Sequence, residues 1–78
     1  MIRATKLEFM EGTTIRVTFS DGSLKELDLS KLYDRNPQLR QLEDRAFFTS
    51  GKLGSFAIAW GEYLDLEVDT VYEEGKTV

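Results

Sequence analysis

Six carboxylates fall between positions 62 and 74: Glu62, Asp65, Glu67, Asp69, Glu73 and Glu74. At this density carboxylates can hold a hard divalent cation, exchange protons with a substrate, or meet the cationic side chains of a partner. The first use fails on spacing. Asp65-x-Glu67-x-Asp69 begins like a calcium loop, but Thr70 stands where the sharp turn needs glycine and Lys76 where a bidentate glutamate belongs. The second use needs a pocket that raises one carboxyl pKa, and a 78-residue chain leaves little volume for one. Asp21 and Asp28 read instead as a turn former and a strand-end residue.

Histidine and cysteine are both absent. The chain thus lacks the side chain best suited to proton transfer near neutral pH, the commonest transition-metal ligand, and any thiolate nucleophile or disulfide. Serine, lysine and tyrosine have no histidine base to activate them. Gly51 and Gly54 flank a strand and lack the helix and lysine of a phosphate-binding loop. A non-enzymatic protein is expected, with no catalytic residue, no metal and no cofactor.

The third use remains. Residues 1–42 carry a net charge of +1 and residues 43–78 a net charge of −5. Tyr63 lies inside the acidic stretch as an aromatic anchor, so the expected partner patch is Tyr63, Glu62, Asp65, Glu67 and Asp69. The overall charge of −4 disfavours direct contact with nucleic acid or an anionic membrane surface. Arg3, Lys6, Arg16 and Lys25 read as the outer face of a sheet, paired across strands with Glu8 and Glu26. There is no membrane-spanning apolar run and no signal-like start, so the expected location is cytoplasmic.

The elements that must position these residues begin with strands. Leu7 and Phe9 alternate with polar neighbours, and Glu11-Gly12 marks a turn. Over Thr13 to Phe19, Ile15, Val17 and Phe19 share one face and Thr14, Arg16 and Thr18 the other, the period of a half-buried strand. Asp21-Gly22 predicts a type I′ hairpin turn, and Leu24 to Leu29 returns with Leu27 and Leu29 inward. Helical punctuation follows. Ser30 is expected to cap a turn carrying Leu32 and Tyr33, Asn36-Pro37 to start a helix with Leu39 and Leu42, and Asp44 to cap a turn presenting Phe47 and Phe48.

Strand character then returns. Phe56, Ile58 and Trp60 are expected on one face, with Ala57 and Ala59 on a second face that something covers closely. Trp60 reads as core, its indole N–H satisfied by a nearby acceptor. Gly61-Glu62 turns the chain into Tyr63 to Leu66, with Leu64 and Leu66 inward. Val68, Val71 and Tyr72 have the spacing of a terminal helical turn docked on the sheet. The expected architecture is α+β, one small domain over residues 1–74. It has an N-terminal three-stranded meander and a C-terminal hairpin in a mainly antiparallel sheet of five or so strands. Short helices pack on one side, and residues 75–78 form a frayed tail.

The ordered set Ile15-x-Val17-x-Phe19-x-Asp21-Gly22, Asp28-Leu29-Ser30-x-Leu32, Trp60, Asp65-Leu66 and Val71-Tyr72 resembles the small bacterial domain-of-unknown-function family 2442. The resemblance covers nearly the whole chain. It implies an α+β fold like that of the N-terminal domain of a Nitrosomonas europaea protein. Relatives usually read Trp-Pro-Asn-Gly where this chain has Trp60-Gly61-Glu62-Tyr63, and often carry proline where Val68 stands. Some relatives are fused to helix-turn-helix domains or pair with another small protein in a toxin–antitoxin-like arrangement. The resemblance therefore implies an interaction module, binding a second copy of itself or another small bacterial protein. The alternative it implies is a transcription-linked regulator that reaches DNA only through a partner.

Overall fold

The strict alternation of Ile15, Val17 and Phe19 builds the central strand of a sheet whose neighbours follow in chain order. A computed structural model describes residues 2–78. Strands β1 (Ala4–Phe9), β2 (Thr14–Phe19) and β3 (Leu24–Asp28) form the expected antiparallel meander. Two 3-10 segments, Leu29–Leu32 and Pro37–Glu43, lead into α1 (Arg45–Phe48). Strands β4 (Lys52–Leu53), β5 (Ala57–Trp60) and β6 (Leu64–Glu67), helix α2 (Val68–Glu74) and strand β7 (Lys76–Thr77) complete the fold. It is α+β, with two antiparallel sheets ordered β1-β2-β3-β7 and β4-β5-β6.

The strands expected in one sheet are thus divided between two. The 3-10 segments and α1 lie between them in the chain, and β1 reaches the loop after β4, where the Ala4 N–H donates to the Ser55 carbonyl at 3.4 Å. Between the sheets lies one continuous apolar cluster. Ile15 and Val17 of the first sheet, Leu29, Leu39 and Phe48 of the helical stretch, Ile58 and Trp60 of the second sheet, and Val71 of α2 are all fully buried. The outer face of the first sheet stays polar. One row across it reads Glu8, Arg16, Glu26, Lys76, alternating in sign. The Arg16 guanidinium clasps Glu26, its Nε donating at 2.7 Å, and Lys6 lies 3.7 Å from Glu8. Lys25, by contrast, points inward over the Tyr72 ring and donates to the Thr77 hydroxyl at 2.8 Å.

Several local expectations are corrected. The Asp21-Gly22 turn is not type I′, which requires positive φ at two successive residues; only Gly22 has it, at +88°. The loop holds three residues, Ser20 to Gly22, closed by Phe19 N–H to Ser23 O and Gly22 N–H to Phe19 O, both 2.9 Å. Asp21 instead accepts from the Ser23 hydroxyl and amide. Asp28, not Ser30, caps the first 3-10 segment, because its carboxylate reaches forward to the Ser30 N–H at 3.0 Å. Asn36 precedes its segment with no side-chain cap, whereas Asp44 caps α1 as expected.

Phe56 is 54% exposed, because the chain bends ahead of β5 and breaks the alternation there. Ala59 is exposed and Ala57 half-buried, so among the described residues nothing packs closely over that face. Residues 75–78, expected to fray, instead extend the first sheet: Lys76 and Thr77 pair with Glu26 and Lys25, and the Val78 N–H donates to Leu24 O at 3.0 Å.

The second sheet is fastened to the helical stretch by Trp60. Its indole is fully buried and donates to the Phe48 carbonyl at 2.8 Å. That carbonyl belongs to the last turn of α1, where no intrahelical donor is available to it. The ring fills the space beside Gly51, where a Cβ would overlap the indole, 2.8 Å from Cε2.

Gly51→Ala is therefore expected to destabilise the fold by about 1–3 kcal/mol. Trp60→Phe, which leaves the Phe48 carbonyl only its longer bond from the Gly51 N–H (3.4 Å) and empties part of the site, should cost about 2–4 kcal/mol. In urea unfolding the double variant should fall short of the sum, because the smaller ring relieves the Gly51 clash. Strict additivity, or a neutral Gly51→Ala, would contradict this packing.

Candidate functional site

The acidic stretch is laid out by a hairpin. Trp60 pairs with Leu64, so Gly61, Glu62 and Tyr63 form a three-residue loop, entered through Gly61 at φ +64°. Tyr63 leaves this loop 93% exposed, with Glu62 beside it. Along β6 the side chains alternate: Leu64 and Leu66 are buried, and Asp65 and Glu67 are exposed. Opposite the two acids on β5 stand Ala59 and Ala57, small enough to leave both carboxylates prominent. Asp69 is exposed in the first turn of α2. The five residues expected as a partner patch are all at the surface, spread over the hairpin loop (Glu62, Tyr63), β6 (Asp65, Glu67) and the first turn of α2 (Asp69).

The patch is electrostatically unbalanced. Ion pairs join Lys6 with Glu8, Arg16 with Glu26, Arg35 with Glu74 and Arg40 with Glu43. Among the described residues none uses Glu62, Asp65, Glu67 or Asp69. The nearest cation in the cross-strand row is Lys52, separated from Asp65 by Ala59. No group of three carboxylates among the described residues is close enough to hold a metal ion.

Two shallow grooves, which the sequence did not signal, flank β6. One of about 180 Å³ has Leu32, Leu39 and Leu66 in its lining and the Arg35–Glu74 pair, 2.5 Å apart, at its rim. The other, of about 200 Å³, lies beneath the hairpin loop between Gln41, Phe47, Leu64 and Tyr63. Both are smaller than the clefts that enclose small-molecule substrates, about 300 Å³ and upward. Neither brings a nucleophile against a base.

Elsewhere the perturbed groups serve the fold. Asp21 accepts from the Ser23 hydroxyl, the Ser23 amide and the Tyr72 hydroxyl, at 2.6, 2.9 and 2.7 Å. These bonds lower its pKa to about 2. The same bond to Asp21 raises the Tyr72 pKa, and Tyr72 packs edge-on against Phe19 with ring centroids 5.0 Å apart. Partial burial opposes the charge of Asp28, but bonds from Ser30 and Thr13 outweigh it and hold the carboxyl below its usual range. Burial raises the Tyr33 pKa, and its hydroxyl finds no hydrogen-bond partner among the described residues.

Residues 4–77 match the model of a family described as a protein of unknown function, DUF2442. No curated protein and no solved structure matches the chain. Most residues that carried the sequence resemblance are folding devices here. Asp21 clasps Tyr72, Asp28 caps the first 3-10 segment, and Trp60 anchors the second sheet.

The Asp21 clasp gives the fold an acid limit. Its folded pKa lies below the ordinary 3.8, so its stabilisation is fully present above pH 4 and is lost as pH falls through about 2. Thermal unfolding followed between pH 5 and pH 2 should show Tm falling less steeply for Asp21→Asn than for the parent chain. Equal slopes would contradict the clasp.

Proposed function

This chain belongs to the DUF2442 family, and from the charge it leaves unpaired along β6 we propose that it is a non-enzymatic protein-interaction module. Its partner is a different small bacterial protein that presents lysine or arginine. The observation that carries this reading is the contrast between two surfaces. On the outer face of the first sheet, acids meet bases within the chain, whereas among the described residues no ion pair uses Glu62, Asp65, Glu67 or Asp69. Unpaired carboxylates on a rigid strand steer a cationic partner and suppress neutral or acidic ones. Tyr63 supplies the aromatic contact, a large rigid surface at low entropic cost.

A second copy of the chain fits this surface poorly. A two-fold dimer through β6 would set Asp65 and Glu67 against the same residues of the other copy, and like charges placed directly opposite are destabilising. A pairing of the toxin–antitoxin kind, with an acidic member neutralising a basic one, is the arrangement this charge supports. Direct DNA contact is not part of the reading. The basic residues of the meander are interleaved with acids, where phosphate binding calls for a continuous basic stripe.

The test is affinity capture from the source bacterium with the parent chain and with the variant Glu62→Gln/Asp65→Asn/Glu67→Gln. A basic protein should be retained at about 0.05 M salt and released near 0.5 M, and the variant should bind at least about tenfold more weakly with an unchanged circular dichroism spectrum. A parent chain that retains nothing at low salt, or a partner held equally by the variant, would overturn the proposal.

A further inference from the structure

We propose that the free edge of β6 is a strand-docking site, and that the partner adds there as an extended segment alternating basic and apolar residues. This inference rests on the interaction reading above and specifies how the partner is held.

The backbone geometry is the first support. The Val68 N–H donates to the Phe56 carbonyl at 2.9 Å, and the Gly54 N–H to the Ala57 carbonyl at 2.8 Å. Phe56 and Val68 are therefore a hydrogen-bonded pair, while Ala57 faces β4. Antiparallel partners alternate between bonded and non-bonded pairs. The ladder between β5 and β6 then runs through Ile58–Leu66 and Trp60–Leu64. Asp65 turns its N–H and C=O, and Glu67 its N–H, away from β5 toward the edge. The sheet order ends at β6; the Glu67 carbonyl, at the N-cap of α2, accepts the first bond of that helix, and among the described residues the Asp65 N–H and C=O and the Glu67 N–H have no backbone partner.

The surroundings are the second support. Two of the other sheet edges are short, β7 and β4 being two residues long each; the six-residue edge strand β1 is tied to the loop after β4 at Ala4, and its edge is not flanked by the acidic stretch. The β6 edge instead faces the two shallow grooves, one beside Leu66 and one beside Leu64, with Leu39 and Gln41 of the Pro37–Glu43 segment lining one each. A strand about 4.8 Å from β6 would lie along this line.

Charge chooses the occupant. A partner residue directly opposite Asp65 or Glu67 projects its side chain to the same outer face as that acid, so lysine or arginine is favoured there. Alternate partner residues project toward Leu64 and Leu66 and the grooves, so they are apolar. Main-chain bonds supply affinity and this alternation supplies specificity, which is the usual division in strand addition.

The probe is a capped octapeptide of alternating lysine and valine, with a twin N-methylated at the amides that would face β6 and a glutamate–valine control. In NMR titration at low salt the lysine peptide should bind with Kd on the order of 0.1–1 mM, shifting Asp65 and Glu67 amides and slowing their exchange. The methylated twin should bind at least about tenfold more weakly, and the glutamate peptide should not bind. If the methylated twin binds as well as the parent peptide, with shifts centred on Tyr63, the surface attracts cations but strand addition is wrong, and the interaction reading survives. If the lysine peptide does not bind at all while affinity capture still returns a basic partner, strand docking is again overturned on its own.

Discussion

One buried hydrogen bond sets the arrangement of the molecule: the Trp60 indole N–H on the Phe48 carbonyl, with the ring pressed against Gly51. A buried indole donor without an acceptor is costly, and the last turn of a helix has carbonyls without intrahelical donors. The two needs are met by each other, and only with glycine at position 51. The second sheet requires this anchorage, since its strands are two to four residues long and so small a sheet is marginal by itself. With Trp60 seated, Ile58, Leu64 and Leu66 close over the helical stretch, and the other side of β6 is left outward.

The commitment of apolar residues to that core shapes what the surface can do. Leu39, Leu42, Phe48 and Val71 are buried to 1% exposure or less, and every large interior side chain belongs to one cluster. The two grooves beside β6 remain shallow in consequence. The polar groups with strong local environments, Asp21, Asp28 and Tyr72, are spent on the hairpin, the first cap and α2. The surface charges are unequally used: balanced across the meander, unbalanced along the terminal hairpin.

Much of this was legible in the sequence because its causes are local. Period-two alternation placed β2 and the inward leucines of β6, and Asp44 announced the cap of α1. A lone tryptophan on an apolar face implied a buried ring needing an acceptor. Tyr63, read as an aromatic anchor opening the strand after Gly61-Glu62, lies instead in the loop itself. What escaped depends on contacts between distant segments. Asp21 and Tyr72 are 51 positions apart, and Arg35 and Glu74 are 39 apart. The tail residues Lys76 and Thr77 look like any polar terminus until β3 offers them an unpaired edge. The division into two sheets has the same origin, for alternation identifies strands but does not say which strands pair. Phe56 was misplaced because a bend before β5 interrupts the alternation without altering the residue pattern.

Native-state hydrogen exchange tests the central claim most directly, that a Trp60-locked scaffold holds the β6 edge open. The Trp60 indole N–H and the amides of Ile15, Ile58 and Leu66 should exchange only through one shared, global opening. The Asp65 and Glu67 amides should exchange close to the rate of unstructured peptide. Exchange of Ile58 and Leu66 at a much lower opening free energy than Ile15 would show that Trp60 does not lock the sheets together. Strong protection of Asp65 and Glu67 in the free protein would show that the edge is already occupied.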